Sequence, residues 1–300
     1  MSDEIYIHIG YPKTGTTFLQ QQYFPAINKI YFIDQTELFS SGFLQILFDD
    51  YLATDIDKYS SILNRWKVSA GEKKLVISYE GLIGNLFKGL TNFDLISRRL
   101  LGTGFKFKVL LSIRNQPDII DSLYVQYVHQ GGAISFNNFI KLTPKAPIYI
   151  SLSLFDYNSM YRSLNDKFGE GNVFVLPYEA ISNYDEMNKY LSVFFGIEIQ
   201  LRSQLFKKQN ISLSGRNLKI LRLLNRFMTS WASANGIFPS QVLNTKNVRR
   251  FLQKFNNGAK NKKSFPNNVY CQSFVEKYSQ SNQDLQKTIE VNLQEKYNYL

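Results

Sequence analysis

The sequence of 300 residues holds one cysteine, Cys271, and two histidines. A lone thiol excludes an internal disulfide and fits a reducing compartment. No run approaches the ~18–20 apolar residues of a spanning helix. The opening MSDEIYIHIG is acidic, and its apolar run is too short for a signal or transit peptide. On these grounds the chain reads as soluble and cytoplasmic. Internal repeats and a clear linker are also missing. Acidic residues are absent from 201–270, which carries fourteen Lys and Arg, whereas the rest of the chain has 21 basic and 24 acidic residues. That asymmetry points to an anionic partner of the C-terminal third: nucleotide phosphates, an acidic polymer or a membrane surface. A merely solvated basic face is the plainer reading. What is abundant is apolar: 44% of residues, with 24 Phe and 19 Tyr. Such a chain can bury a full core as one domain over 1–300 and is not disordered.

Four nearly continuous apolar runs read as strands covered on both faces: EIYIHIG (4–10), KLVISYE (74–80), FKVLLSIR (107–114) and NVFVLPYE (172–179). Helices are expected over Thr16–Phe24, Asp118–Gln130, Leu154–Lys167 and Asp185–Phe195, stopped by Pro25, Gly131, Gly169 and Gly196 in turn. Strands alternating with helices give βαβ units and a parallel sheet, a three-layer α/β/α fold over residues 1–200. Ligands in such sheets sit beyond the carboxyl ends of the strands. Segments 34–70 and 130–150 are read as variable loops. Residues 201–300 are expected to form a mostly helical, basic extension of the same domain. From Arg216 to Trp231, Leu218, Leu221, Leu224, Met228 and Trp231 fall on one side, with Arg216, Lys219, Arg222 and Arg226 on the other. This amphipathic helix either packs on the core or docks on an anionic membrane. A closing helix follows near 271–297.

The first strand feeds GYPKTGTT (10–17). Strand, glycine loop and helix N-terminus together form an anion cradle, since backbone N–H groups and the helix dipole face the ligand. Thr16 and Thr17 add hydroxyls. A nucleotide triphosphatase keeps a lysine directly after the second glycine, where this chain has Thr16; its lysine is Lys13, inside the loop. No strand ends in an Asp to complete a magnesium site, so a P-loop kinase is disfavoured and no metal is expected. The string YPKTGTT resembles the phosphosulfate loop of sulfotransferases that use 3′-phosphoadenosine-5′-phosphosulfate (PAPS). The resemblance implies a PAPS-dependent sulfotransferase of the P-loop type, similar to bacterial carbohydrate sulfotransferases. It places Lys13 beside the bridging oxygen between phosphate and sulfate, with Thr14, Gly15, Thr16 and Thr17 holding the phosphate.

Arg114 ends the third strand, and Ser122 follows eight residues on along a helix. A strand-end arginine forks onto a phosphate while a helical hydroxyl donates from the side, and this pair resembles the family's 3′-phosphate site. LPYEAI (176–181) resembles the segment whose tyrosine lies against adenine, which implies that role for Tyr178. The Arg-Lys-Gly clamp of animal cytosolic sulfotransferases is absent; KKQNISLSGR (207–216) is its candidate substitute, through Lys207, Lys208, Asn210, Ser212 or Arg216. The resemblance spans most of the chain, but only the two phosphate motifs are specific. Sulfuryl transfer also needs a base. Glu80, in a strand-end S-Y-E similar to that of bacterial and heparan-type sulfotransferases, is the first candidate, and His129 the second. His8 is read as packed in the sheet. The implied acceptor is a hydroxyl, of a saccharide by analogy; nucleic acid is not expected as a partner. The alternative from another class is a non-catalytic module binding an acidic glycan or nucleic acid through 201–270.

Overall fold

EIYIHIG becomes the central strand β1 (Glu4–Gly10) because both of its faces are apolar and both of its edges find partners. In the computed structural model, residues 4–299 are described apart from 48, 51–53, 90, 92, 144, 147, 203–212, 214, 231–236, 239–244 and 255–268. Four further strands complete the sheet: β2 (Ile30–Phe32), β3 (Lys74–Ser78), β4 (Lys106–Ile113) and β5 (Val173–Pro177). All pair in parallel in the order β2-β3-β1-β4-β5. The register sets His8 opposite Ser78 of β3 and Gly10 opposite Ser112 of β4.

Twelve α-helices are described: α1 (Thr16–Phe18), α2 (Gln35–Ser40), α3 (Ile56–Ala70), α4 (Phe93–Gly102), α5 (Gln116–His129), α6 (Phe136–Phe139), α7 (Tyr157–Phe168), α8 (Tyr184–Phe195), α9 (Gly215–Asn225), α10 (Thr245–Lys254), α11 (Val269–Ile289) and α12 (Leu293–Tyr297). They cover both faces of the sheet. On one face Tyr6 of β1 and Phe174 of β5 each meet Phe194 of α8 at 5.3 Å between ring centroids. On the other, Phe168 of α7 packs on Phe107 of β4 and Phe93 of α4. The result is the three-layer α/β/α arrangement.

The expected strands hold, each ending one or two residues earlier at its carboxyl end except β1. Pairing at these ends gives way to a 3₁₀ turn, Glu80–Ile83 after β3 and Tyr178–Ser182 after β5. The strand β2 is new. Its three residues are too few to show a period. The expected helix 16–24 is one α-turn, then a π-turn over Leu19–Tyr23, then a 3₁₀ turn around Pro25. Segment 34–70 is corrected from loop to two helices. Asp34 and Asp55 cap them by accepting from Glu37 N and Lys58 N, at 2.9 and 3.0 Å. Tyr59, Ile62, Leu63 and Trp66 then form a buried stripe at helical spacing. The stripe on α9 is corrected too. Leu218, Leu221 and Met228 are buried, but Leu224 faces solvent, and half-buried Arg222 turns inward to Tyr124 Oη at 3.4 Å. Trp231 lies outside the described residues.

Candidate active site at the carboxyl rim of the sheet

The loop after β1 is built by two residues in the left-handed region, Lys13 (φ 72°) and Gly15 (φ 80°). A Cβ at Gly15 would lie 2.7 Å from Ile181 Cδ1, and one at Gly10 would run into Thr16 Cγ2. The backbone therefore closes around a space that only glycine leaves open. Thr14 and Thr16 are buried, and their hydroxyls turn inward: Thr14 donates to Tyr11 O at 2.5 Å, and Thr16 donates to Glu80 Oε1. Thr17 is exposed. Among the described residues, no group accepts from the backbone N–H of Lys13 through Thr17. This loop therefore offers an anion main-chain donors and the Lys13 ammonium, while two of its three threonine hydroxyls brace the loop.

Arg114 closes the rim from β4. Its Nη1 donates to Lys13 O at 3.1 Å, and its Cζ sits 4.4 Å from the centre of the Tyr178 ring. Tyr157 Oη donates to Arg114 O at 2.6 Å and fixes the backbone beneath. Arg114 Nε is buried without a partner among the described residues, a donor held ready in an otherwise occupied setting. Tyr178 lies between Arg114 and the Gly15 loop, so its ring forms the wall of the same space. Ser122 is half-buried on α5, and no described group hydrogen-bonds its hydroxyl.

Glu80 and Lys13 perturb each other. Burial raises the Glu80 carboxyl above its ordinary value, and the Lys13 ammonium pulls it partly back. Lys13 is held below the ordinary lysine value, first by the crowding of the cleft, then by Arg114 and Arg249, with Glu80 opposing. Its side chain nonetheless reaches solvent. His129, the last residue of α5, is pushed down to about 4, by burial first and then by Arg249 and Lys13. It is neutral near pH 7, and its Nε2 is buried without a partner among the described residues.

Lys13, Glu80, Arg114, Tyr178 and His129 thus share one rim. Lys208 and Ser212, with Lys207 and Asn210, lie outside the described residues, and Arg216 is exposed on α9. Two contributors were not singled out in the sequence. Arg249, on α10, acts on both Lys13 and His129; in the sequence it is one cation among fourteen. Glu179 accepts from Asn115 N and Tyr299 Oη, each at 3.0 Å, and so ties the start of α5 to the end of the chain. A separate cleft of about 730 Å³ runs along the outer edge of β5, between α8 and residues 288–291; no rim residue lines it.

No family model matches the chain, and no curated protein matches it in sequence. Similar solved structures include a sulfotransferase from Alicyclobacillus acidocaldarius, 16% identical with a TM-score of 0.48 over 68% of this chain and 89% of that one. The sulfotransferase domain from the curacin biosynthetic pathway is 10% identical, with a TM-score of 0.40 over 91% of this chain and 96% of that one. A sulfotransferase domain from a Synechococcus olefin synthase is 12% identical, with a TM-score of 0.37 over 87% and 91%. At these scores the likeness assigns no role to any residue here.

Proposed function

We propose that the chain transfers a sulfuryl group from 3′-phosphoadenosine-5′-phosphosulfate to a hydroxyl, a saccharide hydroxyl in the narrower form of the reading. The observation that supports it is the meeting of two cationic residues from the segments after β1 and β4 at one rim, with the Arg114 guanidinium on the Lys13 carbonyl. A nucleotide with phosphates at both ends of its ribose needs two such holds a short distance apart. In this reading the loop N–H groups take the 5′-phosphate and Arg114 the 3′-phosphate, with Ser122 a further donor to the latter. The acceptor oxygen attacks sulfur in line as the bond from sulfur to the bridging oxygen breaks, releasing adenosine 3′,5′-bisphosphate. The Lys13 ammonium meets the charge growing on that oxygen. Glu80, with its proton affinity raised by burial, takes the acceptor proton.

The test pairs binding with turnover. Adenosine 3′,5′-bisphosphate is expected to raise the melting temperature well above the response to ATP with Mg²⁺; equal responses would favour a kinase. Labelled donor offered with a panel of glycans and simple alcohols should then pass its label to one class. Glu80→Gln is expected to keep the bisphosphate shift and lose roughly 10²–10⁴-fold in kcat. Near-normal turnover in that variant, with loss in His129→Gln, would move the base to His129.

A further inference from the structure

Eleven large apolar side chains are exposed among the described residues, and seven of them belong to one stretch of the chain, from Ile220 to Phe251. The other four, Phe39, Val68, Leu101 and Val193, are scattered over α2, α3, α4 and α8, as single surface apolars usually are. On α9 the inward face is Leu218, Leu221 and Asn225, and Asn225 Nδ2 holds Val128 O and Gly132 O at 2.8 Å. The outward face carries Ile220, Leu223 (47% exposed) and Leu224, with Phe227 (49% exposed) just beyond the helix end. Exposed Arg216, Lys219 and Arg226 lie beside them. Phe238 joins the same face, since its N–H donates to Phe227 O at 2.8 Å and its carbonyl accepts from Thr229 N at 2.9 Å. Next to α9, α10 is anchored by Asn217 Nδ2 on Leu252 O at 3.0 Å; it has no buried residue and exposes Lys246, Arg250, Phe251 (60% exposed) and Lys254.

We infer that this face, formed by α9 and α10 with Phe227 and Phe238, docks the protein on an anionic lipid surface. Aliphatic and aromatic side chains interleaved with Lys and Arg on exposed helices satisfy an interface where acyl chains lie beneath phosphate headgroups. The absence of Asp and Glu from 201–270 selects among occupants. A second copy of the chain, meeting this patch with its own, would set cations against cations. A nucleic acid would use the cations but give Ile220, Leu223 and Leu224 nothing to bury against. One helix connects the surface to the candidate site: Arg249 of α10 acts on Lys13 and His129, while its neighbours Arg250 and Phe251 face outward. The inference stands whether or not the reaction proposed above is the right one.

The experiment is flotation of the full chain with vesicles of phosphatidylcholine, with and without phosphatidylglycerol. Binding is expected with the anionic vesicles only and should weaken as salt rises. The Leu223→Ser/Phe227→Ser variant, altered at exposed positions, should keep its melting temperature and lose at least tenfold in partition. Lys219→Glu/Arg226→Glu should lose about fivefold or more per position, and it keeps the inference testable if the serine pair misfolds. Failure to float with anionic vesicles, or equal binding to both compositions, overturns the inference. So does a concentration-dependent dimer that the serine pair abolishes. Oligonucleotide binding tighter than vesicle binding and indifferent to the serine pair overturns it as well.

Discussion

Lys13 is the residue where backbone and chemistry conflict. A lysine at φ 72° gives up roughly 1–2 kcal/mol against the same residue in the right-handed region. A loop selected for stability alone would carry glycine there. Replacing Lys13 by Gly is therefore expected to raise the urea midpoint by the equivalent of up to about 1 kcal/mol. The same variant should lose roughly 10²–10³-fold in transfer rate if the ammonium meets the leaving oxygen. A variant that is both less stable and equally active would contradict both halves. The position of this lysine is legible in the sequence, because GYPKTGTT is a local pattern. The inward turn of the Thr14 and Thr16 hydroxyls is not: Glu80, which Thr16 meets, comes from another strand's end 64 residues away.

Among the elements, the three central strands are pinned together by one side chain. His8 Nδ1 meets Ser78 Oγ of β3, and its Nε2 meets Ser112 Oγ of β4, both at 2.7 Å. Burial pushes the imidazole down to about 3, so it is neutral in the folded protein. The unfolded chain binds a proton there near pH 6.5, so between pH 6.5 and about 3 it holds more protons than the folded one. Stability is therefore complete above that window and falls as pH drops through it, by about 1.4 kcal/mol per pH unit. His129 acts in the same direction down to about 4. Glu80 and Glu179, raised by burial, act in the opposite sense as pH rises above the ordinary carboxylate value. Comparing urea midpoints of the wild type and His8→Asn between pH 6 and 4 isolates the imidazole. The variant should be less stable at pH 7 and show a slope shallower by about 1.4 kcal/mol per unit; parallel slopes would mean that His8 is protonated in the fold. The strands themselves were legible because they are apolar on both faces. The helices α2 and α3 were readable in principle, from Asp34, Asp55 and the Tyr59–Trp66 stripe. β2 and α6, at three and four residues, left no periodic trace.

For the whole molecule, legibility falls from the N-terminal to the C-terminal half. The sheet and its rim follow from short motifs. The C-terminal cations are visible only as a sum, and packing alone singles out Arg249 for the site and sends Arg222 to Tyr124. The apolar outer face of α9 could not be read from spacing, because Leu and Ile occur all round that helix. The sheet also sets the pace of folding. Every strand pair is parallel and joins segments far apart in the chain, which makes nucleation slow. Refolding from urea, followed by tryptophan fluorescence, is expected to take seconds and to lose yield as chain concentration rises. Recovery in milliseconds at all concentrations would contradict this.

The central place of β1 has a consequence during synthesis. Within the sheet the middle strand is made before the other four, yet the partners that flank His8 lie 70 and 104 residues downstream. At roughly 5–20 residues per second, IYIHI waits about 5–20 seconds for the second of its neighbours. A nascent chain in that interval presents a bare apolar strand, the kind of segment that chaperones shelter.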